Sequence, residues 1–83
     1  MELETILLEL VKPLCNHPES LEVSRQDSED GKEVVLTIRA ISNDIGHLIG
    51  KKGAMAQSIR SMMSVASVLG GRRLSIKFDT VNQ

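Results

Sequence analysis

The stretch Ile45-Gly46-His47-Leu48-Ile49-Gly50-Lys51-Lys52-Gly53, with Ile59 six positions further on, decides how the chain is read. Two glycines flank two lysines between two segments of helical character. Glycines at such corners enter backbone regions with positive φ and let another backbone come close, because no Cβ stands in the way. The helix that follows begins with amides that have no intrahelical partner, and its dipole leaves partial positive charge at that end. A turn of this kind holds phosphate oxygens while Lys51 and Lys52 add full charges. Such contacts supply salt-sensitive affinity and little sequence information. A bare G-x-x-G is a weak signal whose ordinary meaning is a helical-hairpin turn with solvated lysines. Its setting strengthens it: Leu48-Ile49 immediately before, a helix with Ile59 inward after, and a strong strand upstream.

Working outward, Ser42-Asn43-Asp44 offers caps for a short helix over 45–49. Before it, Val34 to Ile41 is β-branched and apolar on both parities, which predicts a central strand covered on more than one side. Asp30-Gly31 signals a hairpin turn back to a half-buried strand through Leu21 and Val23, which fades into the polar run 26–30. At the start, Leu3, Ile6, Leu7, Leu10, Val11 and Leu14 share one face of an amphipathic helix. Pro13 kinks or ends that helix, and Pro18 closes the segment in either case. After the glycine turn, Met55, Ile59, Met62, Ala66 and Leu69 recur on one helical face, and Gly70-Gly71 ends the helix. Leu74, Ile76 and Phe78 alternate in a last strand, leaving 80–83 as a tail. The whole chain, 1–83, reads as a single α+β domain: a three-stranded mixed sheet with helices on one face. A right-handed crossover through the paired helices makes the strands on either side of them parallel.

Composition excludes several classes. Eighty-three residues leave no room for a second domain or a large enzyme cleft. Phe78 is the only aromatic residue, so a base-stacking platform of several rings is out. Cys15 is alone and reads as a small buried hydrophobe in a reducing compartment, and no second cysteine joins His17 and His47 in a zinc site. The longest apolar runs are three residues and the start is acidic, which points to a soluble cytoplasmic protein. A nucleotide-binding P-loop fails because position 45 is Ile where Gly is required and position 52 is Lys where Ser or Thr is required. His47 has only Asp44 nearby, which predicts a rim histidine and no enzyme. Net charge is −1, yet residues 1–31 carry eight acids against two bases, and residues 32–83 carry eight bases against three acids. The basic part offers an anion a landing place if it forms one face in space, and is plain solvated surface otherwise.

With these residues in view, Leu48-Ile49-Gly50-Lys51-Lys52-Gly53 followed by Ile59 resembles the hydrophobic-Ile-Gly-x-x-Gly signature of KH domains. The order helix-strand-strand-helix-helix-strand is that of the type II, bacterial form. Leu10-Val11-Lys12 through Asn16-His17-Pro18, the Ile59-Arg60-Ser61 turn and the chain length make it similar to the single-domain KhpA-type group. The likeness covers nearly the whole chain. It departs from the commoner pattern at Ala56, where many KH domains carry Ile, and the smaller side chain narrows the apolar floor.

The resemblance implies non-catalytic binding of about four nucleotides of single-stranded RNA without a cofactor, as an RNA chaperone or post-transcriptional regulator. The amides of Lys51, Lys52 and Gly53 then meet the sugar-phosphate backbone, Ile49 and Ile59 line an apolar floor, and Arg60 belongs to the same site. Arg39, Arg72 and Arg73 are either flanking contacts or ordinary surface arginines. So small a core supplies only about 3–5 kcal/mol, and Met62, Met63, Val65, Val68 and Leu69 exceed what one helical stripe needs, which predicts a homodimer through this helix. The resemblance also implies a heteromer with a second KH-containing protein of the KhpB or Jag type. A competing expectation is a KH-shaped protein-interaction module with little RNA affinity, for which the acidic first third and the excess apolar helix surface speak.

Overall fold

A computed structural model describes the backbone at residues 2–69 and 71–81 and side chains at 2–65 and 71–81. Helix α1 (Leu3–Val11) drives Leu7 and Val11 fully into the core. It ends before Pro13, whose missing N–H and fixed φ suit the tighter 3-10 turn Lys12–Leu14 that follows. Of the two outcomes Pro13 allows, the early stop is the one found. Cys15 is half-buried, with Sγ 3.5 Å from the Val11 carbonyl oxygen.

Strand β1 (Glu22–Asp27) pairs antiparallel with β2 (Glu33–Ala40), Val23 opposite Ile38. The polar run did not end β1: it continues through Gln26 and Asp27. The connection over 28–32 is longer than a two-residue hairpin turn and is stitched by side chains. Asp30 Oδ1 accepts from the Ser28 hydroxyl at 2.6 Å and from the Lys32 amide at 3.0 Å, and Ser28 Oγ accepts from the Glu33 amide at 3.0 Å.

Strand β2 is central in the sheet order β1-β2-β3. Val34, Leu36, Ile38 and Ala40 are fully buried, whereas the alternate positions are half-buried or exposed, so one face of β2 is covered and the other is only partly shielded. The expectation of cover on more than one side is corrected accordingly. Helices α2 (Ser42–Ile49) and α3 (Ala54–Leu69) then return the chain to β3 (Arg73–Thr80), parallel to β2 with Leu36 opposite Ile76. β3 includes Thr80, and the Val81 amide still donates to Ala40 O at 2.9 Å, so the expected tail begins later than position 80.

The buried face of α3 is Ala56, Ile59 and Met63. Met55 and Met62, expected inward, are 37% and 51% exposed. The helix is rotated so that the small Ala56, 4% exposed, lies on its buried side in place of Met55. Gly70, part of the expected helix end, lies outside the described residues, as do the side chains of Ala66, Val68 and Leu69.

Candidate nucleic-acid interface

The junction between α2 and α3 is built by three left-handed residues: Gly50 at φ +74°, Lys52 at φ +55° and Gly53 at φ +76°. Gly50 is required twice over. Its ψ of −178° completes a conformation reserved for glycine, and a Cβ there would sit 2.7 Å from Met55 Cβ and 3.0 Å from Met55 N. The close seating of the first turn of α3 therefore depends on a bare α-carbon. At Gly53 nothing lies within 4 Å of an added Cβ, so the backbone angle alone favours glycine.

The loop's own backbone bonds run from the Gly53 amide to Gly50 O, long at 3.4 Å, and from the Ala54 amide to Lys51 O. Neither uses the amides of Lys51 or Lys52. Both lysines are exposed, and the first turn of α3 contains no acid. Positive backbone dipoles and two ammonium groups thus share one exposed corner.

Farther along α3, starting two turns after this corner, a groove of about 420 Å³ lies between α3 and β3, lined by Arg60, Ser64 and residues 74–77 of the last strand. Strand β3 is an edge strand, with β2 on one side only. The amides of Arg73 and Val81 point to β2, at 2.8 and 2.9 Å from Lys32 O and Ala40 O. Strand periodicity then turns the N–H and C=O of Leu74, Ile76 and Phe78 toward the free edge. The groove offers backbone donors and acceptors beside two cations, Arg60 and Lys77. The Arg60 guanidinium carbon lies 5.8 Å from the centre of the Phe78 ring, within reach of a cation–π contact. The protein's one aromatic ring is thereby engaged with its own arginine.

The expected site residues are not all brought together. Gly50, Lys51, Lys52 and Gly53 form the corner, Ile49 packs half-buried beneath it, and Arg60 stands in the groove. Ile59 is fully buried, so it supports the floor from below and does not line it. Arg72 and Arg73 lie beyond the far end of α3, whose sixteen residues span about 24 Å. Arg39 is on the sheet face away from the helices, the parity opposite to Ile38, with Glu22 and Asp79 as its cross-strand neighbours and Asp79 Oδ2 at 3.7 Å from Nε. Ser64, Lys77 and the strand edge were not anticipated: Ser64 neighbours Arg60 one helical turn along α3, its hydroxyl donating to Arg60 O at 2.7 Å, whereas Lys77 and the strand edge reach the groove through the pairing of β3 with β2.

Asp44 was expected as a helix cap, and the structure gives it a different task. It is fully buried, and its two carboxylate oxygens accept from the Asn16 and His17 amides, each at 2.9 Å. The Asn16 bond foremost, then the His17 bond and the charges of His17 and His47, hold its carboxyl below the usual carboxylate range against the opposing effect of burial. His17 Nδ1 lies 3.9 Å away. The carboxylate ties the α1–β1 connection to α2 and so fixes the element that carries Gly50. Burial, and next the Asp44 charge, raise the Cys15 thiol, so it is no activated nucleophile. Among the described residues no group of three His, Cys, Asp or Glu side chains is arranged to hold a metal ion. No helix among them is long and apolar enough to cross a membrane.

A strand-helix-helix-strand core with a Gly-Lys-Lys-Gly corner between its helices, preceded by a helix and an antiparallel strand, defines a type II KH domain. The chain belongs to the KhpA/KhpB KH-domain family, whose sequence profile matches residues 4–78. It is 30% identical over 78 residues to the RNA-binding protein KhpA of Bacillus subtilis, covering 93% of this chain and 94% of that protein. It is 31% identical over 80 residues to the RNA-binding protein KhpA of Streptomyces coelicolor, covering 96% and 92%. In fold, it aligns over 94% of its length with a crystal structure of Aquifex aeolicus Era at a TM-score of 0.58 and 18% identity, covering 29% of that longer chain. The family is one of RNA-binding domains and not of enzymes.

Proposed function

We propose that this protein binds single-stranded RNA without catalysis, through the Gly50–Gly53 corner and the groove between α3 and β3, as a cytoplasmic RNA chaperone or post-transcriptional regulator. The observation that carries this reading is the exposed corner itself: two lysines and a helix start with no acid in its first turn. The names of the relatives support it. Phosphates dock at Lys51, Lys52 and the adjoining amides, and bases enter beside Arg60, Ser64 and the free edge of β3. With few base-specific side chains, affinity for one tetranucleotide is weak, and a second binding unit strengthens it through effective concentration. Lys51→Asp with Lys52→Asp is expected to abolish retention of a fluorescent RNA in an anisotropy titration while leaving the circular dichroism spectrum unchanged. Undiminished binding by that variant would overturn the assignment.

A second reading, a protein-interaction module, is favoured by the apolar flank of α3, where Met62 is 51% and Val65 65% exposed. A second copy of this chain, or a KhpB- or Jag-type protein, fits that flank. Met63, expected at the dimer contact, is 1% exposed and belongs to the protomer's own core. Salt separates the readings: RNA binding weakens steeply as salt rises, whereas apolar docking changes little.

A further inference from the structure

Helix α3 carries three methionines, and the fold treats each differently. Met63 is 1% exposed and sealed in the core, whereas Met55 and Met62 are 37% and 51% exposed. The latter two are seven residues apart, which puts them on one flank of the helix about 10 Å from each other along its axis. Met55 belongs to the first turn and closes the seat of the Gly50–Gly53 corner. Its Cβ stands 2.7 Å, and its amide nitrogen 3.0 Å, from where a Gly50 Cβ would be.

The corner has weak ties of its own. The Gly53 amide reaches Gly50 O only at 3.4 Å. Lys52 is held at φ +55°, a left-handed angle that a residue with a side chain keeps only where its surroundings impose it. The first turn of α3, packed on Gly50 through Met55, supplies that restraint. A partly exposed thioether at such a place is open to a chemistry that Leu or Ile would not undergo.

We infer that Met55 is an oxidation site, at which a peroxide weakens RNA binding by unseating the Gly50–Gly53 corner. The inference rests on the RNA-binding reading above and adds a regulation to it. The sulfur lone pair attacks one peroxide oxygen, so that an S–O bond forms as the O–O bond breaks. The departing hydroxide takes the proton of the new S–OH group and leaves as water; sulfur has lost two electrons and the peroxide has gained them. The product is a polar, chiral sulfoxide. Kept in its mostly covered place, the sulfoxide lacks the water its oxygen needs; turned outward, it leaves Gly50 bare. Both outcomes loosen the seat and let Lys52 relax from its left-handed angle, which disperses the amides and ammonium groups that a phosphate would meet. Reduction of the sulfoxide restores the seat.

The test is anisotropy with a fluorescent oligouridylate, before and after hydrogen peroxide, with the sulfoxide at each methionine counted by mass spectrometry. Dithiothreitol in the binding buffer returns a Cys15 sulfenic acid or disulfide to the thiol and leaves sulfoxides in place. The treated wild type is expected to carry sulfoxide at Met55 and Met62, to bind about fivefold more weakly, and to recover after methionine sulfoxide reductases of both stereospecificities. Met55→Leu is expected to keep through treatment the affinity it starts with, and Met62→Leu to lose as much as the wild type. Met55→Gln, which puts a polar group of similar length at the seat, is expected to start weaker than the wild type and to change little further. Amide chemical shifts of Gly50–Gly53 are expected to move in the oxidised wild type, and they serve where a variant melts early. A wild type oxidised at Met55 that binds as before, a loss that persists in Met55→Leu, or a Met55 that stays reduced while Met62 oxidises would each overturn the inference. An untreated wild type that binds no RNA fails the RNA-binding reading itself and takes this regulation with it, whereas an affinity unmoved by oxidation leaves that reading standing.

Discussion

Helices α2 and α3 begin under the same electrostatic rule and use it in opposite ways. At the start of α2 the protein supplies its own negative charge: Asp44 sits buried in the first turn, where it does not cap the helix amides but accepts those of Asn16 and His17. The start of α3 contains no acid and presents Lys51 and Lys52 to solvent. A helix start filled from within becomes a structural joint, and one left open remains available to an outside anion. The first fixes the angle at which the second is presented.

The largest expected effect comes from breaking the filled end. Asp44→Ala strands two amides, and its Tm is expected to fall by about 10–20 °C in a circular dichroism melt. The same group sets a pH response. Its folded carboxyl titrates below the ordinary aspartate range, so its contribution is complete above that range and is lost as pH falls through the lower, folded value. Urea midpoints of the wild type are expected to drop below about pH 4, and those of Asp44→Asn to start lower and drop less. An identical pH profile for the two proteins would show that the joint lies elsewhere.

Gly50→Ala comes next, since it combines a glycine-only backbone with the clash against Met55. A loss of about 2 kcal/mol, or about 10 °C in Tm, is expected, with RNA affinity falling alongside. Gly53→Ala meets only the backbone penalty, about 1 kcal/mol and about 5 °C. Equal effects at the two corners would contradict the close seating of α3. Smallest in stability and sharpest in logic is Ala54→Glu, which gives α3 the acid it lacks. Tm is expected to rise by about 3 °C while RNA affinity drops severalfold, because the protein then fills both helix starts itself.

Much of this arrangement could be read in the sequence. A β-branched apolar run placed β2, alternation placed β3, and the paired helices between them required a parallel pair, which is the arrangement observed. The Gly50 and Gly53 corners were legible because positive φ leaves a mark in residue type. The exposure of Arg39 away from the helices also followed from its parity with Ile38, had that parity been applied to one face only.

Three features left no local mark. The partners of Asp44 are 27 and 28 residues away, so a buried joint and a helix cap look alike in sequence. The rotation of α3 depends on Ala56 and Met63 facing inward in preference to Met55 and Met62, and apolar periodicity treats these side chains alike. Lys32 meets Arg72 and Arg73 through strand pairing alone.

The contact between Arg60 and Phe78 has a kinetic consequence. A nucleobase that comes to rest on that ring must first evict the guanidinium lying over it. The evicted group is then free to swing toward the incoming strand, so one planar cation is exchanged for one planar base at modest net gain. On the RNA-binding reading proposed above, that exchange leaves the ring little power to favour one base over another.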